Sequence, residues 1–264
     1  MRKQKANRMP VSDHPNLLAV SRGTSSREGR VAMSALLEAV TRALPEVAVK
    51  SGFVDLQVPK LADLVGSVSP EQSAVLVPLL LSEGYEANAE IADTVEGASS
   101  GNLMLARAIG PDDRLVTVLR ERLVQVGATR RDRIVLAGLG SGDPKAVADC
   151  RDMARRLGRM LGVPVAVGFV AASEPTVSDA VRVASAEVAS IVRTARAGGP
   201  GTRPPRVIVS SYVLAPGYYY DLLRVSGADI ITPPLMTPTG PTPQALVDLV
   251  AERYHQAAAS LVQA

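Results

Sequence analysis

Aromatic residues are scarce: Trp is absent, and two Phe with six Tyr make up 3% of the 264 residues. A protein that stacks unpaired bases on aromatic rings needs more than this, and a formal charge of +3, from 29 basic and 26 acidic residues, is too mild to imply nucleic acid. Cysteine occurs once, as Cys150, which excludes an internal disulfide framework and a Cys-rich zinc module and fits a reducing compartment. Histidine occurs twice, at His14 and His255, so neither a Ser-His-Asp nor a Cys-His catalytic set can be assembled near the predicted strand ends. Apolar runs such as 74–81 have the length of a strand and fall short of the ~18 to 20 residues that a membrane span requires. Residues 1–15 are basic and polar without an apolar stretch, and read as a disordered tail rather than a signal peptide. A cytoplasmic protein is expected, with neither nucleic acid nor membrane as partner; the oligomeric state is left open.

What is present is the composition of a globular protein, 47% apolar and 21% charged, long enough for one large or two small domains. Short β-branched runs alternate with longer amphipathic stretches, as in βαβ units around parallel sheets buried on both faces. Strands are predicted at 17–20, 47–54, 74–81 and 103–106, with helices at 28–44, 61–65, 87–95 and 112–126. A second series follows, with strands at 134–137, 165–169, 207–213 and 230–231 and helices at 144–161, 177–196, 218–224 and 243–262. The Gly/Pro-rich stretch 198–205 falls inside this series as a surface loop.

The two series repeat one another. Gly52-Phe53-Val54 followed by Pro59 recurs as Gly168-Phe169-Val170 followed by Pro175, and Leu80 to Tyr85 has its counterpart in Val213 to Tyr218. The expected fold is therefore α/β, two similar Rossmann-like domains spanning 16–128 and 129–264, with a ligand cleft between them. Ligands of open parallel sheets sit beyond the carboxyl ends of the strands. That rule selects 21–26, Asp55 and 82–90 in the first copy, and 139–143, 171–174 and 215–219 in the second.

At these junctions the chain resembles the CbiX/SirB family of sirohydrochlorin chelatases. The resemblance rests on Leu17-Leu18-Ala19-Val20-Ser21-Arg22-Gly23-Thr24, on Gly52-Phe53-Val54-Asp55, on Val77 through Tyr85, and on Ser211 through Gly217. It implies a two-domain protein that places Co²⁺ or Fe²⁺, as substrate, into a carboxylate-rich tetrapyrrole, in siroheme or cobalamin synthesis, with no resident cofactor. In that family a His-Gly-(Ser/Thr) turn ends the first strand and Gly-(Arg/Tyr)-His follows the third, the two histidines handling the metal and the pyrrole protons. Here those positions hold Arg22 and Glu86, and the family's acidic residue stands as Asp55. The resemblance therefore assigns Arg22, Asp55 and Glu86 to the chemistry, and Ser21, Thr24, Ser25, Tyr85, Asn88 and Tyr218 to the substrate.

The substitutions point away from a metal site. Asp55, Glu86 and Glu90 would offer oxygen alone, which suits Mg²⁺ or Ca²⁺ better than Co²⁺ or Fe²⁺, and a guanidinium cannot ligate a cation. If the two positions face one another, an Arg22–Glu86 bond across the cleft is expected in the metal's stead; otherwise both are solvated charges on loops. Two functions follow: a chelatase in which Asp55 and Glu86 accept protons while Arg22 anchors a carboxylate, or a non-catalytic tetrapyrrole binder or carrier descended from one.

Other features have structural readings. Ser21, Thr24, Ser25 and Ser26 stand where a helix cap is needed, and Gly138-Leu139-Gly140-Ser141-Gly142 makes a tight strand-to-helix turn without the full dinucleotide or phosphate-loop pattern. Tyr218-Tyr219-Tyr220 opens a helix at the predicted rim, where a flat ring could rest. Arg27, Arg30, Arg107 and Lys145 fall near strand ends and would draw in a polyanion, while Cys150 sits in a helix as packing.

Overall fold

A computed structural model describes residues 14–98, 102–195 and 203–261. The predicted N-terminal tail up to residue 13, most of the 198–205 loop, Arg196 and Val262 lie outside the described residues. The first half comprises β1 (Asn16–Ser21), α1 (Arg27–Ala43), β2 (Val49–Phe53), α2 (Leu61–Gly66), β3 (Ala74–Pro78), α3 (Glu86–Gly97), β4 (Leu103–Leu105) and α4 (Asp113–Gln125). The second comprises β5 (Arg133–Gly138), α5 (Pro144–Leu161), β6 (Val165–Phe169), α6 (Val177–Ala195), β7 (Val207–Ser211), α7 (Tyr218–Leu222), β8 (Ile230–Ile231) and α8 (Gln244–Leu261).

Two parallel sheets result, ordered β2-β1-β3-β4 and β6-β5-β7-β8. The central strands β1, β3 and β7 are buried along their whole length, which is why they read as unbroken apolar runs. Alternate residues divide between two cores. Leu17, Ala19, Val75 and Val77 join Ile134, Leu136 and Ile208 in one large cluster shared by both sheets. Leu18, Val20, Ala74 and Leu76 pack outward with residues of α2 and α3, and Val135, Ala137, Val207 and Val209 pack outward with residues of α6.

The covering helices are exchanged. Helix α4 packs on α5 and β7 of the second half, and α8 crosses back to α1, β3 and β4 of the first. A cut between residues 128 and 129 separates the sheets but parts each of these helices from the sheet it covers. Each carries one buried arginine. Arg122 of α4 donates to the carbonyls of Pro234 and Leu235 at 3.0 and 2.6 Å, beyond β8. Arg253 of α8 donates to the carbonyl of Ala108 at 3.1 Å, beyond β4, and to Asp112 at 3.1 Å. Such buried guanidinium bonds satisfy loop carbonyls that no sheet neighbour reaches.

The halves meet through their strand-end loops. Ser141 Oγ donates to the carbonyl of Gly84 at 3.3 Å, and Tyr212, fully buried, donates from its hydroxyl to the carbonyl of Leu81 at 2.9 Å. Glycine is required by close approach at this seam: a Cβ on Gly84 would stand 2.4 Å from the backbone nitrogen of Ala146, and one on Gly29 would stand 2.2 Å from the carbonyl oxygen of Pro216.

Candidate functional site

In a sheet ordered 2-1-3-4 the connections leaving β1 and β3 diverge, opening a crevice at the carboxyl ends of those strands. Both sheets have this crevice, and the two face one another. Between them lies a cavity of about 630 Å³, lined by the loops after β1, β2 and β3 of the first half and by Leu139 and 212–220 of the second.

Backbone pairing continued past the strand ends builds its charged corner. Val54 N donates to the carbonyl of Ser21 at 2.9 Å, and Asp55 N to that of Arg22 at 3.1 Å, so the two side chains emerge as neighbours. Arg22 Nε and Nη2 both donate to Asp55 Oδ2, at 3.1 and 3.0 Å. The guanidinium also lies 6.0 Å from the ring centroid of Tyr219, a cation–π distance. Tyr219 in turn meets Tyr218 edge to face, with centroids 5.3 Å apart. Burial opposes the charge on Arg22, but the Asp55 bond and the Tyr219 oxygen outweigh it and raise its pKa. The cation is permanent.

The rest of the wall is apolar or neutral. Leu79, Leu80, Leu81, Leu139 and Leu214 line it, with the phenols of Tyr85 and Tyr212. Burial pushes both phenols above the usual tyrosine range, so they remain neutral hydrogen-bond donors. At the mouth stand Leu56 and Tyr218, 67% and 68% exposed, an apolar lip around the opening. Thr24 N is held by Gln57 Oε1 at 2.8 Å, which ties the loop after β1 to the loop after β2.

Of the residues assigned from sequence, Ser21, Arg22, Thr24, Ser25, Asp55, Tyr85 and Tyr218 line this cavity. Glu86 and Asn88 do not. They line a neighbouring depression of about 750 Å³ beyond Tyr85, with Glu83, Arg107, Asp143 and Lys145. The expected Arg22–Glu86 bond is therefore replaced by Arg22–Asp55. The reason is helical geometry: Glu86 is the first residue of α3, about 100° round the axis from its neighbour Tyr85, so when the ring enters the cleft the carboxylate turns away. Asn88 is engaged structurally, donating from Nδ2 to the carbonyl of Ser82 at 2.6 Å. Glu90 lines neither space, and among the described residues no group of three His, Cys, Asp or Glu is placed to hold a metal ion.

The remaining candidates have structural partners. Ser26 caps α1, accepting from Gly29 N at 3.2 Å, and Arg30 donates to the carbonyl of Ser25 at 2.8 Å. Arg107 and Lys145 both bind Glu83, at 2.7 and 2.8 Å; burial would raise that carboxyl's pKa, and these two cations more than offset it. Cys150 is buried against Gly138, its thiol pushed up to about 12 by burial, which makes it packing. The sequence reading passed over Gln57 and the Arg22–Asp55 pairing. The signal for that pairing lay in the lengths of β1 and β2, since the two residues fall just past the ends of neighbouring strands.

Two α/β lobes with exchanged helices and a cleft at opposed crevices define a chelatase-like architecture. The family model for CbiX matches residues 16–126 and 133–194, and the chain belongs to the CbiX family. No curated protein matches it at a significant level. Among solved structures it is similar to SirB from Bacillus subtilis with Fe³⁺, at 19% identity and a TM-score of 0.68 over 94% of this chain and 96% of that one. It is similar also to SirB from Bacillus subtilis subspecies spizizenii in complex with cobalt, described as a sirohydrochlorin chelatase, at 17% identity and a TM-score of 0.66 over 94% and 96%. A third, CbiX described as the terminal enzyme of siroheme biosynthesis in denitrifying bacteria, aligns at 14% identity and a TM-score of 0.58 over 90% and 98%. At these identities the likeness is one of fold. Among the described residues no helix is long and apolar enough to cross a membrane.

Proposed function

We propose that the chain binds a tetrapyrrole in the cleft between its halves and does not insert metal into it. The observation that carries this reading is the Arg22–Asp55 pair, 3.0 Å apart on the cavity wall. In the family's pattern a neutral, titratable ligand stands at the position of Arg22, and an acid at that of Asp55 supports the incoming cation. A permanent guanidinium repels a dication and already takes up the carboxylate. What the corner offers instead is recognition of an anion: a ligand carboxylate can accept from the guanidinium donors not used by Asp55, while the tyrosines and leucines receive the face of a flat ring.

A second reading is favoured by family membership, in which the cleft still directs Co²⁺ or Fe²⁺ as substrate into sirohydrochlorin. It requires Asp55 to leave Arg22, and it loses Glu86, which lies outside the cavity.

The test is absorbance titration with metal-free tetrapyrroles, sirohydrochlorin and protoporphyrin among them, repeated with Co²⁺ and Fe²⁺ present. Saturable binding without acceleration of metal entry over the protein-free rate is expected. Accelerated insertion would establish the second reading, and absence of binding by every tetrapyrrole would overturn both.

A further inference from the structure

The charge inventory of the cleft identifies the kind of macrocycle it selects. Among the described residues lining the cavity, Arg22 and Asp55 are the charged ones, and they are paired with each other, so the lining carries no net charge. The other nearby cations are committed elsewhere. Arg107 and Lys145 lie beyond Tyr85 on Glu83, and Arg30 is held by the Ser25 carbonyl. Arg27 is exposed on the first turn of α1 and does not line the cavity.

We infer that the preferred ligand is a tetrapyrrole with few carboxylates, a mono- or dicarboxylate, and not the octacarboxylate sirohydrochlorin; this rests on the tetrapyrrole reading of the same cleft. An octacarboxylate bears two acidic arms on every pyrrole ring, so whichever edge enters carries several carboxylates against Leu79, Leu81, Leu139 and Leu214. A carboxylate taken out of water without a partner is strongly disfavoured, and the wall supplies one guanidinium, itself already neutralised. A ring with apolar substituents on the entering edge meets no such penalty. Its faces are covered by the leucines and by the exposed lip of Leu56 and Tyr218. One carboxylate then reaches Arg22, sharing the guanidinium with Asp55.

The affinities of metal-free uroporphyrin, coproporphyrin and protoporphyrin, with eight, four and two carboxylates, are to be compared with those of sirohydrochlorin and protoporphyrin dimethyl ester on the full chain. Protoporphyrin is expected to bind about tenfold or more tighter than either octacarboxylate. Arg22→Met is expected to weaken protoporphyrin about tenfold while leaving its dimethyl ester unchanged, and Arg27→Met to change neither. If sirohydrochlorin or uroporphyrin binds tightest, the inference fails while the tetrapyrrole reading stands. If no tetrapyrrole binds, both fail. If Arg22→Met weakens acid and ester alike, recognition of a carboxylate by Arg22 is refuted.

Discussion

At the end of β1 the first half carries Arg22 and, beside it after β2, Asp55; at the matching places after β5 and β6 the second half carries Leu139 and Ala171. The backbone frames are the same. Asp55 N reaches the Arg22 carbonyl at 3.1 Å and Ala171 N that of Leu139 at 3.0 Å, while Val54 and Val170 make equivalent bonds of 2.9 Å to Ser21 and Gly138. Gly23 and Gly140 both turn at φ of +84°. Even the side bonds correspond, Thr24 N to Gln57 Oε1 at 2.8 Å and Ser141 N to Ser173 Oγ at 3.1 Å. The same loop architecture thus forms with a charge pair in one copy and with leucine and alanine in the other. The fold does not need the charges, which argues that the first half keeps them for a ligand.

The largest effect on folding is expected where the two copies differ in size rather than charge. Gly29 is the third residue after the Ser26 cap of α1, and Ala146 the third after the Asp143 cap of α5. Gly29 is pressed against the Pro216 carbonyl, whereas Ala146 faces Gly84, so each seam has glycine on one side. Gly29→Val should destabilise the protein by about 3 kcal/mol or more, measured by chemical denaturation, because the obstacle is backbone that cannot step aside. A mild effect would show that the seam is looser than described.

A second asymmetry concerns the start of the central strand. The residue before β5 is Asp132, buried, whose carboxylate accepts from Arg203 at 2.9 Å, from Thr129 N at 2.8 Å and from Arg206 N at 2.8 Å; the residue before β1 is Pro15. Burial alone would raise the pKa of Asp132, but the Arg203 bond and the backbone donors hold it well below the ordinary carboxylate value. Its contribution is present above about pH 4, the ordinary carboxylate pKa, and is lost as pH falls through the depressed folded value. Asp132→Ala is expected to cost about 3 kcal/mol at neutral pH, since it leaves Arg203 and two backbone donors without their partner. The variant's loss relative to the parent should shrink in acid. An unchanged difference at low pH would show that the carboxylate's charge is not what stabilises this corner.

A smaller effect is expected at Glu83, beyond Tyr85, which pairs with Arg107 of its own half and with Lys145 of the other. Glu83→Gln should cost under about 1 kcal/mol, because Arg107 and Lys145 are 70% and 56% exposed, and the loss should diminish further at high salt. A cost that persists in molar salt would point to packing instead.

The architecture was legible because fully buried parallel strands and amphipathic helices announce themselves by different periods. All eight strands and their order of alternation with helices follow from it. The run 74–81 shows where that logic stops: β3 ends at Pro78, and Leu79, Leu80 and Leu81 stay buried as the chain turns into the cleft, so apolarity did not mark the strand's end. The exchange of α4 and α8 was not legible either, since an amphipathic stripe does not say which sheet it covers. In the site, Arg22, Asp55 and Tyr85 were reached by reading strand ends. Glu86 and Asn88 fall in the same strand-end range yet line the neighbouring depression, because neither a strand-end range nor a motif aligned in sequence fixes which way each residue faces once a helix begins.

The comparison of the two copies is tested most directly by making the first half like the second. Arg22→Leu with Asp55→Ala is to be measured both for its denaturation midpoint and for its affinity for metal-free protoporphyrin and sirohydrochlorin. The account predicts stability within about 0.5 kcal/mol of the parent, as expected for a half-exposed pair, together with an affinity for the preferred tetrapyrrole lowered about tenfold or more. A variant that loses stability by several-fold more than this while binding the tetrapyrrole as well as the parent would contradict it, placing the pair in the service of the fold.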